Sequence, residues 1–276
     1  MSAATPAPSL ERGTSDTARV GLTVVIPTLN EEAQIAVAVR DLAWVDDVIV
    51  IDGGSIDQTV MLAQHAGARV LLAPGVTIAG QRNVGIAAAR HEWVLAVDAD
   101  ERVSTELRNE LQAIVSAPRA RHAAYRIRFR NYYLGRELRH GPWGRDWHVR
   151  LFSRERRFIT SRVHERLEPV DDVGALSGAI VHTPYRDLAH HVGKIVQYAR
   201  WGAEDARSRG RRARLWELSA RPAWRFVRDY VIWSGWRDGT RGFIAAALSA
   251  FAAFLKYAFL FAMSAERGTE RSMEAP

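Results

Sequence analysis

Three carboxylates stand within four positions at residues 98–101, directly after an apolar run. They are Asp98, Asp100 and Glu101, in the stretch VLAVDADERV. Like charges this close repel, so a positive group is expected beside them unless they face open solvent. Two aspartates that flank one residue offer oxygen ligands to a hard divalent cation, and in a chain without cysteine Mg²⁺ or Mn²⁺ is favoured over zinc. Such cations take further oxygens from substrate phosphates, so a diphosphate is the expected partner.

Two more polar clusters follow apolar runs, PTLNEE at 27–32 and DGGSIDQ at 52–58. In an open parallel sheet, ligands bind outside the carboxyl ends of the strands. A single carboxylate after a strand is more often a helix cap or a solvated turn. Three clusters at three strand ends instead predict one shared site. Neither the G-x-x-x-x-G-K-[ST] nor the G-x-G-x-x-G pattern occurs, which disfavours an ATPase and an NAD-dependent enzyme.

The elements that must position these clusters alternate over residues 20–115. β-Branched runs are separated by stretches of helical composition, a pattern that predicts βαβ units in a mostly parallel sheet with helices on both faces. After Pro118 the rhythm has period two, with Tyr125, Ile127 and Phe129 alternating with arginines, as in half-exposed strands. From about residue 187 the sequence is helical.

The 276 residues accommodate one large domain with an appendage. We expect a disordered tail without an export signal at 1–19, an α/β domain at 20–185 and a basic helical region at 186–276. The α/β domain divides at residue 117 into a nucleotide half and an acceptor half. The absence of cysteine excludes disulfides and thiolate chemistry and fits a reducing compartment, so the cytoplasm is expected.

The net charge of +7 suggests a polyanionic partner. The positive charge is not evenly distributed along the chain. Residues 186–241 contain thirteen basic and six acidic side chains. They precede the apolar segment 242–263, in which Lys256 is the only charge. This segment is long enough to span a membrane, but its many alanines and Lys256 favour a helix lying in the interface of an anionic membrane. A spanning helix and a buried core helix remain alternatives.

The chain resembles the family 2 glycosyltransferases of the GT-A fold. The resemblance runs from about residue 21 to the C-terminal helices and is carried by these stretches: VVIPTLNEE, DVIVIDGGSIDQT, AGQRNVGIAAARHEWVLAVDADE, RLFSR and VHERL. The subgroup it suggests extends lipopolysaccharide core or related envelope glycans and is similar to core β-1,4-glucosyltransferases. Gly53 departs from the pattern, since many members have Asp or Ser there.

The resemblance implies a transfer from a nucleotide-diphospho-sugar, with UDP-sugars favoured, to a glycan or glycolipid acceptor. It places nine residues at the donor: Pro27, Thr28, Asn30, Glu32, Asp52, Gln81, Arg82, Asn83 and Asp98. Asp98 and Asp100 match the DxD element, in which the second aspartate is the usual direct ligand of Mg²⁺ or Mn²⁺ and the first often touches ribose.

Members of this family invert the anomeric centre with one carboxylate base. Glu165 is the first candidate, with His164 as its orienter or an alternate base, and Asp146 is the second. A plain ion pair of Glu165 with Arg162 or Arg166 is the competing interpretation.

Two other functions remain open. A Mg²⁺-dependent phosphatase or nucleotidyltransferase also uses paired aspartates, but here the pair follows the fourth predicted strand and lysine is scarce. A membrane-bound basic adaptor without activity would leave the three acidic clusters unexplained, and acids at that edge would repel a nucleic acid backbone. We therefore expect no nucleic acid partner and a peripheral location at the inner face of the cytoplasmic membrane. The sugar and the acceptor are not encoded in any motif.

Overall fold

The computed structural model describes residues 19–119, 121–159 and 166–273. The predicted tail at 1–19 lies outside the described residues except for its last position. In the first half the predicted alternation of strands and helices is confirmed, and the elements are β1 Val20–Thr28, α1 Ile35–Asp41, β2 Val45–Asp52, α2 Thr59–His65, β3 Arg69–Leu72, α3 Ile78–Ala87, β4 Trp93–Ala96, β5 Glu101–Val103 and α4 Thr105–Ser116.

The second half of the domain is built from strands, as the period-two pattern predicts. They are β6 Ala124–Tyr133, β7 Arg136–Leu138, β8 Trp147–Ser153, β9 Phe158–Ile159, β10 Arg166–Leu167 and β11 Val173–His182. On β6, Tyr125, Ile127 and Phe129 are buried, whereas the arginines between them are exposed or half-buried. The alternation of apolar residues and arginines therefore identifies the face of β6 that packs against the core.

The main sheet is mixed, with the strand order β3-β2-β1-β4-β8-β6-β11-β5 and β7 added beside β6. The four strands from β3 to β4 are parallel, as expected for βαβ units. Beyond them β8 runs antiparallel to both β4 and β6, whereas β6 and β11 are parallel, so the second half of the sheet is mixed. The reason is that β6 and β8 follow one another without the crossover helix that a parallel connection needs.

The link between β4 and β5 sets the geometry of the site. These two strands are only a few residues apart in sequence, yet β8, β6 and β11 lie between them in the sheet. Residues 97–100 must therefore cross the ends of β8, β6 and β11 before β5 pairs with the outer edge of β11, with Glu101 opposite His182. This crossing carries the DADE stretch past three strands of the acceptor half.

Two apolar layers cover the sheet, one on each face. Val24 and Ile26 of β1 face a layer that includes Ile35 of α1 and Leu107 of α4. Val25 points to the other face, where it meets the layer that contains Ile86 of α3. Helices therefore cover both faces, as predicted.

The C-terminal region consists of α5 Leu188–Ser208, α6 Glu217–Phe226, a π-helical turn Val227–Ile232, a 3-10 turn Gly235–Asp238 and α7 Gly239–Met273. Asp238 joins it to the domain, since one carboxylate oxygen accepts the backbone N–H groups of Arg139 (3.1 Å) and His140 (2.8 Å). The other oxygen lies 2.8 Å from Nδ1 of His140. The helices are thus fixed against the β7–β8 connection.

Part of the basic excess in this region is neutralised within the helices. The buried Glu217 contacts Arg211 at 2.9 Å and Arg221 at 3.5 Å. The buried Asp229 contacts Arg228 at 2.6 Å and Arg225 at 3.3 Å. These four arginines are paired with acidic residues of the same region, so the count of basic residues overstates the charge offered to a partner.

Candidate functional site

The three predicted clusters meet at one edge of the sheet. Thr28 at the end of β1 lies in register with Asp52 at the end of β2, and the Gly53 N–H donates to the Thr28 carbonyl at 2.8 Å. The Val97 N–H donates to the Val25 carbonyl at 3.1 Å, which brings the DADE stretch to the same edge. The parallel strands β1, β2 and β4 therefore place all three clusters side by side.

The loops after β1 and β2 are joined by reciprocal hydrogen bonds. The Asn30 N–H donates to Ser55 Oγ at 2.8 Å, and the Ile56 N–H donates to Asn30 Oδ1 at 2.9 Å. Glu32 accepts the Gln58 N–H at 3.2 Å. Asn30 has a φ of +56°, a region that Asn tolerates better than most residues. In this structure Asn30 and Glu32 bind the neighbouring loop.

Asp52 organises the turn that follows it. Its Oδ1 accepts the N–H groups of Gly54 (3.0 Å) and Ser55 (2.9 Å), and its Oδ2 accepts the Ser55 hydroxyl. Gly54 has a φ of +104°, which favours glycine. At Gly53, a Cβ atom would lie 2.6 Å from Nε2 of Gln81, so the departure from the family pattern fits the room left by that side chain.

The three donor residues predicted on α3 have different surroundings. Gln81 donates from Nε2 to the Val76 carbonyl at 3.1 Å, and its buried Oε1 has no hydrogen-bond partner within the described residues. Asn83 exchanges two hydrogen bonds with the backbone of Phe158, at 2.9 and 2.7 Å. Asn83 therefore anchors β9 to α3. Arg82 points to the carboxylate cluster.

Two arginines supply the positive charge that the cluster requires. Asp98 lies 2.6 Å from Nη2 of Arg82 and 3.4 Å from Nη2 of Arg150, and Glu101 lies 2.8 Å from the same atom of Arg150. Although burial opposes ionisation, both guanidinium groups hold the pKa of Asp98 well below its usual range. Burial, with the charge of Asp98, raises the pKa of Glu101 to about 7 against the lowering effect of Arg150.

Glu101 also belongs to a second group of side chains, which could hold a metal ion. One ligand atom from each of Asp100, Glu101 and His182 falls within 4.8 Å of the others. His182 ends β11, and its Nε2 lies 3.6 Å from Oδ2 of Asp100. Two carboxylates and an imidazole suit Mn²⁺ or Mg²⁺, so the donor set fits the predicted ion. Asp98 was predicted as a second ligand, but it lies outside this group because its carboxylate is engaged by the arginines.

The start of α5 adds two cations to the same edge. Burial and the charge of Asp100 raise the pKa of Glu31, whereas Lys194 and Arg186 oppose that shift. The charges of Lys194 and Arg186 therefore act on the Glu31 carboxylate. Neither was predicted, because both fall in a region whose basic residues suggested a membrane contact.

Of the three predicted candidates for the base, only Asp146 is described, since His164 and Glu165 lie outside the described residues. Asp146 accepts a hydrogen bond from Nδ2 of Asn131 at 3.1 Å and lies 2.7 Å from Nε2 of His148. Burial raises the pKa of Asp146, but the contacts with His148 and Asn131 outweigh it and keep that pKa below its usual value. Asp146 is thus an ionised carboxylate on the acceptor side.

A cleft of about 450 Å³ opens beside β8 and is lined in part by Trp147, His148, Arg150 and Glu168. The Trp147 side chain is exposed here, so it could stack on a sugar. Trp143, a few residues earlier in the chain, instead contacts the ring of Tyr133, with centroids 5.2 Å apart, in an internal aromatic cluster. Trp147 is therefore exposed to a ligand in this cleft, whereas Trp143 packs inside the protein.

Comparisons with known proteins agree with the geometry. The family described as "Glycosyl transferase family 2" matches residues 23–168. An uncharacterized glycosyltransferase of Rickettsia typhi is 30% identical over 88% of this chain and 87% of its own length. The lipopolysaccharide core biosynthesis glycosyltransferase LpsC of Rhizobium meliloti is 29% identical over 88% of this chain and 93% of its own.

Among solved structures, the glucosyl-3-phosphoglycerate synthase of Mycobacterium tuberculosis in complex with Mn²⁺, UDP and glucosyl-3-phosphoglycerate overlaps in part. It is 22% identical with a TM-score of 0.32, over 41% of this chain and 44% of that chain.

Proposed function

Since the chain belongs to glycosyltransferase family 2, we propose that it moves a sugar, with inversion and metal assistance, from a nucleotide-diphospho-sugar to an envelope glycan or lipid-linked acceptor. UDP-sugars are the favoured donors. The observation that carries this proposal is the group formed by Asp100, Glu101 and His182. This group lies at the edge of the sheet that also holds the loops after β1 and β2. Family membership as a transferase leaves the phosphatase and adaptor alternatives without support.

The donor would lie across the ends of β1, β2 and β4. Pro27, Thr28 and Asp52 border that position, and Thr28 Oγ1 and Gln81 Oε1 are buried without a hydrogen-bond partner within the described part of the chain. Unpaired buried polar atoms are rare and call for a ligand or water. We assign these two atoms to the donor end of the site.

Asp100 and His182 would hold the Mg²⁺ or Mn²⁺, and Glu101 would contribute when its contact with Arg150 allows. The bound ion supplies positive charge to the leaving diphosphate. Arg82 and Arg150 keep Asp98 ionised and hold its carboxylate in place beside this group. The cations Lys194 and Arg186 would add charge on the phosphate side.

In the transfer, the acceptor hydroxyl oxygen forms a bond to the anomeric carbon while the bond from that carbon to the diphosphate oxygen breaks. The electron pair leaves with the diphosphate, and the hydroxyl proton passes to a carboxylate. Glu165 is the proposed base, because the family pattern places it on the acceptor side, and Asp146 is the alternative. The similarity to LpsC supports an acceptor of the lipopolysaccharide core type.

The C-terminal helices are proposed to hold the enzyme at the inner face of the cytoplasmic membrane. Gly235–Ser264 is long and apolar enough to cross a membrane, and only 17% of its most apolar window is buried, which disfavours a core helix. Phe243, Phe251, Phe254 and Phe261 of α7 are all exposed and fall on one side of the helix by their spacing. This Phe stripe fits an apolar membrane interface.

The direct test is product analysis. The purified protein would be incubated with UDP- and GDP-sugars, Mn²⁺ and a lipopolysaccharide core acceptor, and the released species identified. A glycosyltransferase releases a nucleoside diphosphate and extends the acceptor. Release of a nucleoside monophosphate and a sugar phosphate from the same donors, without extension of the acceptor, would instead mark a hydrolase of the phosphoanhydride bond and overturn the proposal.

A further inference from the structure

We propose that Asn131 is a positioning residue of the metal site, whose amide turns Nε2 of His182 towards Asp100 and ties this histidine to Asp146. The inference rests on the metal-assisted transfer proposed above, since it concerns how one ligand of the ion is oriented. Asn131 lies on β6, opposite His182 in the parallel pair that β6 forms with β11. It is only 3% exposed, so its contacts are made inside the protein.

The surroundings of Asn131 fix the orientation of its amide group. Nδ2 lies 3.1 Å from the carbonyl oxygen of Trp143 and 3.1 Å from Oδ2 of Asp146. Both partners only accept hydrogen bonds, so the amide nitrogen must face them. The amide oxygen must then face the opposite side, where His182 lies.

The orientation of this amide decides which nitrogen of His182 carries the proton. Nδ1 of His182 lies 2.7 Å from Oδ1 of Asn131. An amide oxygen can only accept, so Nδ1 donates and the lone pair available to a metal ion is on Nε2. That atom is the one that lies 3.6 Å from Asp100. The ring is held further by the edge of Phe129, with centroids 5.7 Å apart at 87°.

The same amide joins the two sides of the site. Asp146, the described candidate for the base, is linked through Asn131 to His182, and through it to Asp100. The Phe129 N–H also donates to the Asp146 carbonyl at 2.9 Å, which fixes the backbone at that residue. Asn131 therefore sets both the orientation of the metal ligand and the separation between the ion and the acceptor-side carboxylate.

The experiment compares Mn²⁺ binding, measured by calorimetry with and without UDP, in the wild type and in Asn131→Ala. We expect the dissociation constant of Mn²⁺ to rise about 10- to 100-fold, the usual effect of losing a partner that orients a ligand. Although burial opposes protonation, the neighbouring carboxylates raise the pKa of His182, so the tautomer of the neutral ring would be read at a pH above that value, from the ring nitrogen signals of metal-free protein labelled with ¹⁵N-histidine and assigned with His182→Gln. The wild type should carry the proton on Nδ1, and Asn131→Ala should lose this preference.

Tyr133→Phe is the matched control. It removes another buried hydrogen bond from β6 to a histidine, that between Tyr133 Oη and His191 Nδ1 at 2.9 Å, without touching the metal group. Its Mn²⁺ affinity should equal that of the wild type. An equal loss in both variants would mean that any damage to β6 weakens the site, and would overturn the specific role of Asn131.

The double variant Asn131→Asp/Asp146→Asn keeps the hydrogen bonds that join positions 182, 131 and 146, with the roles of the two side chains exchanged, and gives up only the bond to the Trp143 carbonyl. The new carboxylate accepts from His182, and the new amide donates to that carboxylate. We expect it to recover Mn²⁺ affinity and the Nδ1–H tautomer even if Asn131→Ala fails to fold. Unchanged Mn²⁺ affinity and tautomer in folded Asn131→Ala, or no recovery in the double variant, would contradict the proposal. If the wild type bound no Mn²⁺, the proposed function would fail, and the tautomer would still decide the role of Asn131.

Discussion

Oδ1 of Asp98 lies 2.6 Å from Nη2 of Arg82, and this contact separates the two aspartates of the DxD element into different roles. Asp98 also faces Arg150 at 3.4 Å, so its charge is used to neutralise two guanidinium groups. Asp100 is instead grouped with Glu101 and His182. We therefore propose that Asp98 supports the site and that Asp100 holds the ion.

The first prediction concerns this division. Asp98→Asn should lower the free energy of unfolding by about 2 kcal/mol, because the largely buried guanidinium groups of Arg82 and Arg150 each lose one carboxylate contact. Mn²⁺ affinity in the absence of nucleotide should change little. Asp100→Asn, the matched control, should lose Mn²⁺ binding. Urea unfolding and calorimetry measure the two effects, and a loss of Mn²⁺ binding in Asp98→Asn equal to that in Asp100→Asn would refute the division.

The second prediction separates the two candidates for the base. Glu165→Gln should lower kcat about 10²- to 10⁴-fold while UDP affinity stays unchanged, because only the proton acceptor is removed. Asp146→Asn preserves the shape of the side chain and should reduce kcat much less. Steady-state kinetics on both variants decide the matter, and the reverse order of effects would assign the base to Asp146.

The third prediction follows from the buried His191. Burial, aided by the nearby charges of His190 and Lys194, lowers the pKa of His191 to about 4. The unfolded chain binds a proton here near the ordinary value of about 6.5, so the neutral folded form loses stability as the pH falls from about 6.5 to about 4. Above this range the contribution is complete.

His191→Gln removes this titration and still offers an oxygen to accept the Tyr133 hydroxyl. The loss of unfolding free energy between pH 7.5 and pH 5 should therefore be smaller in the variant than in the wild type, as measured by urea unfolding at each pH. Equal pH dependence in the two proteins would show that His191 does not contribute.

The fourth prediction tests the Phe stripe of α7. The double variant Phe251→Asp/Phe254→Asp should no longer pellet with vesicles of phosphatidylethanolamine and phosphatidylglycerol, because charges would enter the apolar interface. Binding of UDP with Mn²⁺ should be kept, since the stripe lies on the C-terminal helix. Leu72→Asp, a change of another exposed apolar residue on β3, is the control and should pellet like the wild type. Pelleting of the double variant would contradict the assignment.

Periodicity and strand-end chemistry were sufficient to predict the nucleotide half. The strands β1 and β2 end where expected, at Thr28 and Asp52, whereas β4 ends at Ala96, earlier than expected; Asp52 and Asp98 nevertheless lie at one edge of the sheet. The reason is local: in parallel βαβ units each loop follows its own strand, so neighbours in the pattern become neighbours in space.

The acceptor half could not be read in this way. Arg150 and His182 join the site only because residues 97–100 cross the ends of other strands, a consequence of strand order that no local pattern contains. His182 follows Ile180 and Val181 at the end of β11. A polar residue directly after a β-branched run was the sequence pattern that could have marked it as a site residue. Likewise, the pairing of Glu217 and Asp229 with arginines of the helical region depends on packing that residue counts do not reveal.

The most direct test of the central claim is calorimetric titration of the protein with UDP and with GDP, in Mn²⁺ and then in EDTA, alongside Asp100→Ala. We predict that UDP binds in Mn²⁺ and that this binding disappears in EDTA and in Asp100→Ala. Absence of nucleotide binding by the wild type in Mn²⁺, or UDP binding by Asp100→Ala as tight as that of the wild type, would contradict a metal-assisted nucleotide-sugar site built on Asp100.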